Sequence, residues 1–67
     1  MKYNKENFIA GRIYQKMLYN KESFYYGISN NIDPYIVMLI LSMYNPKRKI
    51  YLSKKLKFGY ELIINKE

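Results

Sequence analysis

The stretch Asp33-Pro34-Tyr35-Ile36-Val37-Met38-Leu39-Ile40-Leu41-Ser42-Met43-Tyr44-Asn45-Pro46, continued by Lys47-Arg48-Lys49-Ile50-Tyr51-Leu52-Ser53-Lys54-Lys55-Leu56-Lys57-Phe58-Gly59-Tyr60-Glu61-Leu62-Ile63-Ile64, decides the fold. Its first half is bounded at both ends. Asp33 offers an N-cap carboxylate, and Pro34 falls at the first helical position, where its missing N–H is not needed. Asn45-Pro46 ends the run, because the residue before a proline is pushed out of the helical region. A helix over about 34–44 follows. It is apolar on every face except at Ser42, so it is expected to be the central core helix, covered all round. The alternative is that one face, Tyr35, Met38 and Tyr44, docks against another chain, since Met and Tyr suit adaptable interfaces.

After Pro46 the period changes. Ile50, Leu52, Leu56, Phe58, Tyr60, Leu62 and Ile64 occupy even positions, and Lys49, Lys55, Lys57 and Glu61 odd ones. An alternation of two predicts a β-hairpin over about 49–64, with its turn near Ser53-Lys54-Lys55. Gly59 is a second candidate for the bend or for a bulge. A helical reading through Tyr51, Lys55, Phe58 and Leu62 also remains open.

Toward the N-terminus, Asn4 can cap a helix with Glu6 in its first turn and an apolar stripe through Ile9, Ala10, Ile13, Tyr14 and Met17. This predicts a helix over about 5–19. Lys5, Arg12 and Lys16 share a sector away from that stripe, either as a solvated face or as one side of a phosphate-binding surface. Asn20-Lys21-Glu22-Ser23 repeats the capping pattern and predicts a short helix over about 21–29, weakened by Gly27. The expected class is α+β: three helices followed by a C-terminal hairpin, one small domain over 1–67. Its expected core is Ile13, Met17, Ile36, Leu39, Ile40, Leu56, Phe58 and Leu62.

A chain of 67 residues has a small core, and this one has neither Cys nor His. That removes disulfides, thiolate nucleophiles, zinc clusters and the commonest general base. The five carboxylates show no acid–base pairing, so no enzyme, cofactor, metal site or small-molecule substrate is expected. The longest apolar stretch, Tyr35 to Leu41, is too short to cross a membrane, the first ten residues hold no apolar run of signal-peptide length, and a cytoplasmic location is expected. Hydrophobic residues at 49% and nine tyrosines indicate a folded module.

Net charge is +7 and unevenly placed. Six of the twelve basic residues lie between Lys47 and Lys57, and no acid occurs between Asp33 and Glu61. Lys47, Arg48, Lys49, Lys54, Lys55 and Lys57 therefore form an unneutralised field that attracts polyanions, nucleic acid foremost. Tyr51, on the outward parity among them, can stack on a base. The bland counterpart is that these lysines only protect an edge strand from pairing.

The order helix, short helix, helix, basic hairpin resembles a reduced winged helix-turn-helix domain. The resemblance is one of element order over roughly Lys5 to Ile64. It implies that the third helix approaches the major groove and that Asn45 to Lys57 form the wing and its approach. Pro34 to Tyr44 departs from that pattern: it holds no Arg, Lys, Asn or Gln to read bases. Single strands are thus favoured slightly over duplex. The expected function is a non-catalytic accessory subunit of a larger replication or recombination complex of a mobile element. Phosphates would be contacted through Lys5, Arg12, Lys16 and the hairpin, and a protein partner or second copy through the third helix. The alternative is a pure protein-binding module, such as a phage-type inhibitor or assembly factor.

Overall fold

The computed structural model describes residues 2–67. Its elements run α1 (Asn4–Tyr19), β1 (Phe24–Ser29), α2 (Pro34–Tyr44), β2 (Ile50–Leu56) and β3 (Gly59–Ile64). The strands make one antiparallel sheet in the order β1-β3-β2, with β3 at its centre. The class is α+β, but two helices and three strands replace the three helices and two strands expected.

The correction lies at residues 21–29, where a strand stands in place of the short helix. Phe24, Tyr26 and Ile28 turn inward while Tyr25, Gly27 and Ser29 face out, an alternation that aromatic and β-branched side chains favour. Asn20 is not the N-cap of a second helix: it is the C-cap of α1, and its Oδ1 accepts from the Glu22 N–H at 3.1 Å in a local turn that leads into the strand. The pairing that stabilises β1 is with β3, Phe24 opposite Ile64 through Ser29 opposite Gly59.

Both helices cover one face of the sheet. Glu6, Ala10, Ile13 and Met17 recur at helical spacing on the buried side of α1, and Pro34, Val37 and Leu41 on that of α2. They meet Ile28, Leu62 and Ile64 from the sheet and Ile32 from the β1–α2 loop to form the core. Asp33 caps α2 as its sequence predicts, its Oδ1 accepting from the Tyr35 N–H at 2.9 Å. Glu6 fixes the two helix starts together, its Oε2 accepting from the Asp33 N–H at 2.8 Å.

The helix at 34–44 is not covered all round. Tyr35, Leu39 and Met43, at i, i+4 and i+8, form an open stripe, with Leu39 58% and Met43 75% exposed. Two layers cover only the sides of α2 that face α1 and the sheet. Of the expected core, Ile13, Met17 and Leu62 are buried and Ile36 and Ile40 half-buried, while Leu56 is half-buried on the face away from the helices and Leu39 and Phe58 are exposed.

The hairpin also differs in detail. Its turn is Lys57-Phe58, not Ser53-Lys54-Lys55, and the strands around it exclude the helical reading of this segment. A bulge at Ser53, between Leu52 and Lys54, shifts the register. After it Lys54 pairs with Glu61 and Lys55 with Tyr60, so the two lysines lie on opposite faces. Gly59 is required by close approach: a Cβ there would lie 2.0 Å from the Ile28 carbonyl oxygen.

Candidate nucleic-acid interface

The face of the sheet away from the helices is open, and the strand register fixes its composition. One row across it is Tyr25, Ile63, Tyr51. The next is Gly27, Glu61, Lys54, and the third Ser29, Gly59, Leu56. Tyr25 and Tyr51 are more than half exposed, and Ile63 lies between them half-buried. Beside Gly27 and Gly59, Leu56 and Phe58 flank a shallow apolar depression. Glu61 is the acid of this face, and its Oε1 accepts from the Ser53 hydroxyl at 3.2 Å.

β2 is an edge strand, and Lys47, Lys49, Lys54, Lys55 and Lys57 are exposed along it and its flanking turns. Eight steps from Lys49 to Lys57 at roughly 3.3 Å each give the lysines a reach of at most about 26 Å. Among the described residues the ion pair formed is Lys21–Glu67, at 3.1 Å, and its carboxylate lies close enough to Arg48 to feel that charge. Two lysines rest on rings instead: Lys55 Nζ lies 4.8 Å from the Tyr60 centroid, and Lys57 Nζ 5.4 Å from that of Phe58. These contacts leave both charges exposed, while Lys54 faces Glu61 across the β2–β3 ladder.

Arg48 is the exception among the six hairpin-region cations. It is 3% exposed, and its guanidinium donates to four backbone carbonyls: Asn65 from Nε, Met17 and Asn20 from Nη1, and Glu22 from Nη2. Those carbonyls belong to the end of α1, the turn after it and the segment after β3. Arg48 therefore joins the chain segments at one end of the molecule and, with four of its five N–H groups committed and its side chain buried, is closed to a phosphate. Its expected role is corrected on that ground.

Lys5, Arg12 and Lys16 are exposed on α1, in the helical layer on the far side of the sheet from Tyr51. Arg12 lies 5.7 Å from the Phe8 ring centroid, and Lys16 Nζ 5.2 Å from that of Phe24 and 5.9 Å from that of Tyr26. The fold thus separates two groups of cations that the sequence reading combined. Tyr25 was not singled out by that reading, because a helix was expected there; the alternation of Phe24-Tyr25-Tyr26-Gly27-Ile28-Ser29 is the signal that reveals it.

Of the expected docking residues, Tyr35 is open, Met38 is half-buried against the core, and Tyr44 stacks at a tilt of 52° on Tyr14 with 5.2 Å between centroids. Leu39 and Met43 belong with Tyr35 on the exposed stripe. No charged residue occurs within α2. Among the described residues no helix is long and apolar enough to cross a membrane. Comparison with protein-family models, with curated proteins and with solved structures finds no match for this chain.

Proposed function

We propose that the chain is a small non-catalytic accessory protein that contacts nucleic acid through the lysines of its β2–β3 hairpin and joins a larger replication or recombination assembly through α2. The observation that carries this reading is the run of five exposed lysines on the edge strand β2 and the turns that flank it, Lys54 and Lys55 on its two faces, with no ion pair to any of them among the described residues. Edge protection needs fewer charges than this, and the bulge at Ser53 already discourages pairing. Phosphates are the ligand for such a line: many weak point charges, regularly spaced, bound with little regard to sequence.

The subunit role rests on Tyr35, Leu39 and Met43. An uncharged apolar stripe on a chain of net charge +7 is a surface that a partner can cover without desolvating ions. The same stripe favours the second reading, a module that binds protein alone. Fluorescence-anisotropy titration with short single- and double-stranded oligonucleotides, at low and physiological salt, separates the two. Binding that weakens steeply with salt supports the nucleic-acid reading. A flat titration at both salts overturns it and leaves the protein-binding module.

A further inference from the structure

We propose that the open sheet face is a stacking platform for single-stranded nucleic acid, with bases laid on Tyr25 and Tyr51 and phosphates held by Lys49 and Lys54. This deepens the nucleic-acid reading and rests on it. The two tyrosines stand in one row on the outer strands with β3 between them, so their Cα atoms are about 10 Å apart at the usual strand spacing of roughly 4.8 Å. Ile63 fills the interval. The result is a flat apolar strip, aromatic at both ends, wide enough for two or three unstacked bases.

The floor beyond it is kept low by glycine. Gly27 has open space above it, and Gly59 has no side chain to raise the surface, so the depression beside Leu56 and Phe58 continues the platform toward the hairpin turn. Charge selects the occupant. Register places Lys54 on this face, Lys49 follows the same parity beyond Tyr51, and Lys57 lies at the turn. Glu61, on β3 directly across the ladder from Lys54, opposes a phosphate over the centre of the sheet, which directs the backbone to the outer edge of β2. A duplex keeps its bases stacked inside and cannot present their faces to this strip. A single strand can, and every base has a face to stack, so recognition tolerates sequence.

The test uses the full chain with three probes of equal length: an oligodeoxythymidine, an oligouridine, and an abasic oligonucleotide that keeps the phosphates and lacks the bases. Wild-type protein should bind the first two more tightly than the abasic chain. Tyr25→Ala and Tyr51→Ala should each weaken binding to the base-bearing strands by about fivefold to 150-fold, with little effect on the abasic one. Tyr25→Phe and Tyr51→Phe, which keep the ring, should bind nearly as wild type. Glu61→Gln should tighten binding to all three. Both tyrosines are more than half exposed, and circular dichroism of each variant verifies the fold. Equal affinity for abasic and base-bearing strands, or tyrosine variants that bind like wild type, would overturn the platform while leaving phosphate contact standing. No binding of any probe or of duplex would remove both. Capture of a folded protein on this face, displaced by Tyr25→Ala and not by oligonucleotide, would also overturn it.

Discussion

Replacing Arg48 should cost this protein most of its stability, although the residue lies in a run of lysines that reads as solvated. Its guanidinium is nearly inaccessible and donates four hydrogen bonds, at 2.8, 3.2, 2.7 and 2.9 Å, to carbonyls respectively 17, 31, 28 and 26 residues away in sequence. A hydrogen bond to a charged group contributes about 1.5–3 kcal/mol. The four do not add fully, because three of the bonds are only partly buried and their carbonyls regain water when the side chain is removed. A loss of about 3–5 kcal/mol for Arg48→Ala is the working figure. A core of this size supplies only about 3–5 kcal/mol in total, so the variant should be largely unfolded at 25 °C. Arg48→Lys keeps the charge and loses the planar fork, and should retain part of the stability. Lys47→Ala and Lys49→Ala, exposed on either side, should stay within about 0.5 kcal/mol of wild type. Urea unfolding followed by far-ultraviolet circular dichroism reads all four. An Arg48→Ala midpoint equal to that of wild type, or equal to those of the flanking lysine variants, would refute the reasoning.

Gly59→Ala should destabilise by at least the ~1–3 kcal/mol of an overpacked site, because the new Cβ meets the Ile28 backbone, whereas Gly11→Ala, in open space on α1, should gain about 0.5–1 kcal/mol in the same urea assay. Glu6→Ala removes the acceptor of the Asp33 N–H and should cost about 1–3 kcal/mol, with the first turn of α2 losing hydrogen-exchange protection first. The Lys21 ammonium, by its hydrogen bond and then by its charge, holds the Glu67 carboxyl below its ordinary value of 4.5. A lowered carboxyl contributes stability above its unfolded value and loses it as the pH falls through the folded one. NMR titration should therefore show Glu67 moving back toward 4.5 in Lys21→Ala, with only a slight change in acid stability since the pair is exposed. Leu39→Glu should abolish partner association measured by sedimentation while leaving the fold intact; unchanged association would separate α2 from the interface.

Both long helices are legible in the sequence because their signals are local: a carboxylate and a proline at the start of α2, Asn45-Pro46 at its end, and a four-three-four spacing of inward residues on α1. β1 is not, since its partners on the strand that stabilises it lie 30 to 40 residues away and the Asn20 side chain imitates a helix N-cap. The hairpin is visible as an alternation, but its turn is displaced because the bulge at Ser53 lets Lys54 and Lys55 continue the strand where two adjacent lysines suggest a loop. Arg48 and Lys49 are neighbours with nothing local to distinguish them. Only the packed fold reveals that four carbonyls converge on the first. Tyr51 is legible from parity, whereas Tyr25 shares its row only because residues 24–29 form a strand.

The salt dependence of oligonucleotide affinity, compared between wild type and the Lys49→Ala/Lys54→Ala double variant, tests the hairpin lysines most directly. Each phosphate neutralised on a single strand adds about 0.7 to the slope of log affinity against log salt. The double variant should bind more weakly, with a slope shallower by about 1.4, and remain folded because both lysines are exposed. A slope identical to that of wild type would contradict the assignment of phosphate contact to these lysines.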